Sequence, residues 1–317
     1  MPDFEQLPIV FGPVPSRRLG RSLGINNIPY KWCSFACIYC QIGDTIKLRY
    51  TRHKIYDSDY IFKTIQKKLI DLEKQHEPVD YLAFVPDGEP TLDINLGEHI
   101  RKLKKLSVPI AVITNASLIS DPHVQDELSL SDWISLKVDA VDPLIWKKID
   151  RPHGKLNHQK ILEGMLSFKQ KYKGILTTET MLVNGINDFD ETAAQTGDFL
   201  KQLQPDIAYL SIPTRPPADK NIKPATPESV NRVWQIISPK IKRVELLTGY
   251  EGNAFASSGD IKKDILSITA VHPMRQDAVD EMLSRFNKKW ELIDQMIEDN
   301  ELIKANYDNH NFYLRKF

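Results

Sequence analysis

Apolar positions along this chain follow two alternating rhythms. Short continuous runs at residues 79–85, 109–114, 132–138, 175–183, 207–212 and 244–247 read as strands buried on both faces. Between them the apolar spacing widens to three and four. Ile61, Ile65, Leu69 and Leu72 mark a helix over 57–75, with Asp57 or Ser58 as its cap. Similar spacing predicts helices over 96–106, 121–128, 157–172, 188–203 and 226–237, two of them opened by Asp121-Pro122 and Thr226-Pro227. A strand over 22–28, stopped by Pro29, precedes them all. Alternating strands and helices imply a parallel sheet. About six strand–helix units fit before residue 250, fewer than the eight of a closed barrel. The expected fold class is α/β, a partial (β/α)6 TIM-like barrel, with a doubly wound sheet as the alternative.

The two ends read differently. Residues 1–21 hold Gly12, Pro13, Pro15 and the arginines Arg17, Arg18 and Arg21, and are expected to form an irregular leader to a core over 22–250. A linker is expected over 251–260. Residues 261–317 predict three short helices (261–270, 275–286, 290–299) and a terminal hairpin across Asp308-Asn309-His310-Asn311. That order resembles a small winged-helix domain.

Charge removes some classes. Lys+Arg and Asp+Glu are both 42, so the chain is not a globally basic nucleic-acid binder. No apolar run approaches the roughly 20 residues of a membrane span. The start, Met1-Pro2-Asp3-Phe4-Glu5, lacks the features of a secretion signal, so the expected compartment is the cytoplasm.

All 3 cysteines fall within Cys33-Ser34-Phe35-Ala36-Cys37-Ile38-Tyr39-Cys40. In a reducing compartment an odd, clustered set points to metal. Thiolates are soft donors for iron–sulfur clusters, zinc or Cu(I). Three of them can hold three corners of a cubane and leave one iron open. Zinc would need a fourth donor. His53 is the nearest histidine, without a pairing pattern.

This segment, with Tyr39 just before the last cysteine, resembles the signature of radical S-adenosylmethionine enzymes. The resemblance implies a [4Fe-4S] cluster on Cys33, Cys37 and Cys40, with S-adenosyl-L-methionine on the open iron. It also implies one-electron cleavage to a 5′-deoxyadenosyl radical and an external donor such as flavodoxin or ferredoxin. Asp87-Gly88-Glu89-Pro90-Thr91 stands where the family carries a Gly-Gly-Glu segment, so Glu89 is expected at the cofactor's amine. Asn115 ends the third strand at a position that contacts the cofactor in the family. Ser135 and Lys137 share one face of the fourth strand, and binding the cofactor would account for a lysine there. Glu179, Met181, Asn184, Ser211, Thr214 and Arg215 are weaker candidates at later strand ends. Asp139 is expected to cap a helix.

Within that superfamily the chain is most similar to enzymes related to wyosine-base synthases of transfer RNA. The likeness lies in the leader, the cysteine loop and Leu210-Ser211-Ile212-Pro213-Thr214-Arg215-Pro216-Pro217. The cysteines of their second cluster are missing. The expected function is radical modification of a base in tRNA or another nucleic acid. The alternatives are a protein or peptide substrate, as for activating enzymes, or a non-enzymatic iron–sulfur regulator that binds DNA. Lys288, Lys289, Lys304, Arg315 and Lys316 in the tail suit phosphate, while its acidic residues suit a protein partner.

Overall fold

Side-chain caps set most of the helix starts. Asp57, Asp121, Asp142, Asn157, Thr226 and Asp260 each accept a hydrogen bond from a first-turn backbone N–H. The computed structural model describes residues 8–45, 47–249, 252–253, 255–257 and 259–316. The start of the predicted leader (1–7), residues 250, 251, 254 and 258 at the predicted linker, and Phe317 lie outside the described residues.

The chain runs β1 (Val10–Ser16), β2 (Gly20–Ile25), β3 (Trp32–Cys33), β4 (Lys47–Leu48), α1 (Ser58–Lys74), β5 (Tyr81–Phe84) and α2 (Leu96–Leu103). Next come β6 (Ile110–Thr114), α3 (Pro122–Leu128), β7 (Trp133–Lys137), α4 (Pro143–Asp150), α5 (His158–Lys171), β8 (Ile175–Met181) and α6 (Asp190–Leu203). Then follow β9 (Ile207–Ser211), α7 (Pro227–Ile237), β10 (Val244–Leu247) and α8 (Ile261–Val271). The chain ends with β11 (Met274–Arg275), α9 (Gln276–Arg285), α10 (Glu291–Glu298), β12 (Leu302–Tyr307) and β13 (His310–Arg315).

Eight strands form one curled sheet in the order β1-β2-β5-β6-β7-β8-β9-β10. All neighbours pair in parallel except β1 with β2. The order never reverses, so there is no switch point of the kind a doubly wound sheet requires. The fold is a half-barrel. Leu82, Phe84, Ile110, Val112, Ile134, Leu136 and Leu210 pack outward with helix residues such as Ile61, Ile100, Phe168 and Leu200. Alternate residues Ala83, Ala111, Trp133 and Tyr209 face inward and pack with Leu19.

The leader departs from expectation. Residues 10–16 form an edge strand, although Gly12, Pro13 and Pro15 suggest none. An edge strand tolerates proline because one side has no ladder to supply, and the register shifts between Phe11 and Val14. The turn after it carries Leu19 into the inward-facing cluster, which burial stabilises by about 1.5–3 kcal/mol. Helix α4 was not expected, although Asp142-Pro143 repeats the start signal of α3. Asp142 caps that helix, so the expectation for Asp139 is corrected.

In the C-terminal part, α8, α9 and α10 pack with a small sheet ordered β11-β13-β12. The Asp308-Asn309 turn has positive φ at both residues (47 and 59), as a two-residue type I′ hairpin needs. Phe312 and Tyr313 are buried. Phe11 and Val14 of β1 belong to the same apolar cluster as Phe255, Ile265, Ile268, Met282, Ile293 and Met296.

Candidate active site

The cysteine loop leaves the end of β2 and lies along the end of α4. Ala36 N donates to Asp150 O at 3.0 Å, and Ile38 N to Ile149 O at 3.0 Å. The short β3–β4 ladder closes the loop. Each thiol has its own polar neighbour. Cys33 Sγ accepts from Asn115 Nδ2 at 3.6 Å, Cys37 Sγ donates to Asp150 Oδ1 at 3.2 Å, and Cys40 Sγ accepts from Lys31 Nζ at 3.3 Å. Burial pushes the Cys33 thiol up to about 12, and burial also raises the Cys37 thiol well above its ordinary value, with Asp150 adding to the effect. The thiols also oppose one another's ionisation, which places them close together.

This donor set fits an iron–sulfur cluster better than one zinc ion. Among the described residues no three His, Cys, Asp or Glu side chains close tightly enough to hold a single ion. His53 is engaged by Arg49 at 3.0 Å and Thr51 at 3.1 Å, and sits edge-on to Trp32. A metal core would hold the thiols deprotonated despite their burial.

The loop after β5 reaches the cysteines because residue 88 is glycine. A Cβ there would stand 1.9 Å from Trp32 O, a backbone atom that cannot swing aside. Glu89 N donates to that same carbonyl at 3.2 Å. The buried Glu89 carboxylate accepts from Thr91 N (3.0 Å), Thr91 Oγ1 (2.5 Å) and Thr114 Oγ1 (2.6 Å) on Oε1, and from Asn115 N (2.8 Å) on Oε2. Burial raises its pKa, against the pull of these donors. Asn115 in turn donates to Ser34 Oγ at 2.8 Å. Glu89 and Asn115 therefore knit the ends of β5 and β6 to the cysteine loop. Gly88→Ala is expected to cost about 1–3 kcal/mol by overpacking and to lower cluster loading, read as iron per chain after anaerobic reconstitution. Wild-type loading and melting would show that the loop yields freely.

Asp87 is 1% exposed, and its backbone and side chain hold Asn26 and the backbone of Lys31. Burial raises its carboxyl to about 7, against the pull of Lys31 and Arg315.

Ser135 and Lys137 face inward, while Leu136 and Val138 join the helix-side core. Lys137 Nζ lies 3.2 Å from Glu179 Oε1 and 3.6 Å from Asp139 Oδ1, over the Tyr39 ring. Glu179 also accepts from Ser211 Oγ at 2.9 Å and from Arg18. Burial opposes its ionisation, but Lys137 and Arg18 more than offset this and hold it near 2. Tyr39 donates its hydroxyl to Asp139 and, at 3.2 Å, to Asp150 Oδ1. Burial and Asp139 push Asp150 well above the carboxylate range.

The structure thus gathers Cys33, Cys37, Cys40, Glu89, Asn115, Lys137, Glu179 and Ser211 at one end of the sheet, with Met181 in contact with Ser211. Arg18 reaches this group. Arg21 pairs with Glu77, and Arg17 is exposed. Asn184 is exposed, and Thr214 and Arg215 are half-buried on the loop after β9. Lys31 and Asp150 were missed from sequence. The Asp142-Pro143 start signal would have placed α4, and Asp150 at its end.

A half-barrel with three cysteines in the loop after its first parallel strand defines a class, and the Radical SAM superfamily profile matches residues 27–196. The chain belongs to that superfamily and is a radical SAM enzyme that uses a [4Fe-4S] cluster and S-adenosylmethionine. It sits with the UPF0026 proteins: it is 45% identical over 311 residues to UPF0026 protein MJ1312 of Methanocaldococcus jannaschii, covering 98% of this chain and 96% of that one. It is 26% identical over 188 residues to the dual-specificity RNA methyltransferase RlmN of Buchnera aphidicola, covering 54% of this chain and 50% of that one. A solved radical SAM methyltransferase from Sphaerobacter thermophilus shares the fold at TM-score 0.53 and 13% identity, over 72% of this chain and 66% of that one. No described helix is long and apolar enough to cross a membrane.

Proposed function

We propose that Cys33, Cys37 and Cys40 hold the cluster, that Glu89, Asn115, Ser135 and Lys137 form the S-adenosylmethionine site, and that the substrate is a base in transfer RNA. The observation that carries the site assignment is the meeting, at one sheet end, of three thiols with the Glu89–Asn115 knot and the half-buried Lys137 cation. When bound there, the cluster and S-adenosylmethionine would supply one-electron radical chemistry on the substrate.

This chain's residues do the positioning. Among the described residues Glu89 Oε2 has one donor, Asn115 N, which leaves an acceptor position for an ammonium group. Lys137, held by Glu179 and Asp139, offers a fixed cation to a carboxylate. Tyr39 braces the cysteine loop through Asp139 and Asp150. Leu19 and Arg18 fill the inward face beneath the site, which favours exclusion of water.

The RNA reading draws on the RNA-acting relative and on the C-terminal part. Its element order of helix, strand, two helices and two strands supports a winged-helix reading, and we propose this part as an RNA-docking module. Lys288 and Lys289 are exposed in the turn between its last two helices. Tyr307 donates to Pro213 O at 3.1 Å, beside the loop after β9. We place the enzyme in the cytoplasm with a flavodoxin or ferredoxin as donor. The test compares modified nucleosides in bulk tRNA with and without the gene. One nucleoside is expected to disappear or revert to a precursor. An unchanged profile would defeat the tRNA reading and favour a peptide substrate.

A further inference from the structure

Lys31 combines two costly features. It is 2% exposed, and its backbone is left-handed at φ 58. Its ammonium donates to Cys40 Sγ at 3.3 Å and to Gly43 O. The Gly43 carbonyl comes from a turn closed by Gly43 N donating to Cys40 O, so both acceptors belong to the cysteine loop. Among the described residues no carboxylate lies within ion-pair distance of Lys31. The Asp87 charge acts on it only from farther away.

A buried ammonium needs a countercharge. A carbonyl and a neutral thiol supply none, whereas a thiolate bound to iron does. Lys31 is thus placed for the loaded loop rather than the empty one. Adding an electron to a thiolate-bound cluster adds negative charge, which a fixed cation in a low-dielectric setting stabilises. We infer that Lys31 donates a hydrogen bond to the cluster-ligating sulfur of Cys40 and raises the cluster's reduction potential, easing electron entry. Lys31 is a positioning residue that acts through Cys40. The inference rests on the assignment of the three cysteines as cluster ligands.

The test is a redox titration of anaerobically reconstituted protein, followed by the electron paramagnetic resonance of the reduced cluster. At the wild-type midpoint, Lys31→Met is expected to show at least a tenfold lower ratio of reduced to oxidised cluster, about 59 mV for one electron. Lys31→Arg is expected to recover part of that shift. A second measurement needs no variant: wild-type protein labelled with ¹⁵N-lysine should show a ¹⁵N hyperfine coupling to the reduced cluster. A loaded Lys31→Met protein within twofold of the wild-type ratio, or a loaded wild type with no lysine coupling, would overturn the inference alone. Wild-type protein that binds no cluster would remove the cysteine assignment as well.

Discussion

Cys37→Ala protein, reconstituted anaerobically with iron and sulfide, should lose the cluster and with it the formation of 5′-deoxyadenosine. Cys37 is tied to the rest of the barrel through a carboxyl at the end of α4. It donates to Asp150, and Asp150 and Asp139 both hold Tyr39, two positions along the same loop. Losing its sulfur would leave two of the three proposed ligands and would strip a buried carboxyl of one partner. Replacing residues that only support a metal ligand typically costs 10–100-fold in affinity or activity, so removing a ligand should cost at least about 100-fold. Iron content, cluster absorbance and deoxyadenosine yield under reducing conditions read the outcome together. Wild-type yield in the variant would disprove the ligand assignment, and with it the whole placement of the site.

Glu179→Gln should be the most destabilising single change on the inward face of the half-barrel. The Glu179 carboxylate lies between Lys137 and Arg18, and its side chain is 11% exposed. Neutralising it removes the anion shared by Arg18 and Lys137, of which Lys137 keeps Asp139, so the loss is expected near the lower end of the about 3–5 kcal/mol of broken buried pairs. Denaturant unfolding should show a lower midpoint with an unchanged slope. Adding Arg18→Met should restore part of the loss by removing one of the two cations that face Glu179. The acid limb follows from the same group. Its folded pKa, near 2, lies below the ordinary glutamate value of about 4.3, so its stabilisation is full above that value. It is lost as pH falls from about 4.3 through 2. Wild type should therefore lose stability over that window, and Glu179→Gln should be flatter there. Matching acid profiles would refute the charge cluster.

Local pattern was enough for most elements because buried strands and amphipathic helices write their spacing directly. It also showed that Ser135 and Lys137 share an inward face, since a strand's alternation is strict. Two elements escaped for different reasons. Prolines at positions 13 and 15 hid β1, because whether a strand lies at an edge is settled by its neighbours rather than by its own residues. Helix α4 carried a clear Asp142-Pro143 start, but its eight residues show too little periodicity to stand out. The charged partners were harder still. Arg18 meets Glu179 across 161 positions, and Cys37 meets Asp150 across 113. Nothing local to Lys31 announces its burial beside Cys40.

The apolar cluster shared by β1 and the C-terminal helices has a consequence for synthesis. Ile261 and the residues after it leave the ribosome roughly 250 positions later than Phe11. At about 5–20 residues per second, Phe11 and Val14 wait on the order of ten to fifty seconds for their cover. During that interval the nascent barrel can close most of its pairings, β1 with β2 included, but Phe11 and Val14 stay without the C-terminal cover. Stretches some 250 positions apart in translation therefore share one apolar cluster, and a chain cut before Ile261 would leave Phe11 and Val14 on an uncovered edge strand.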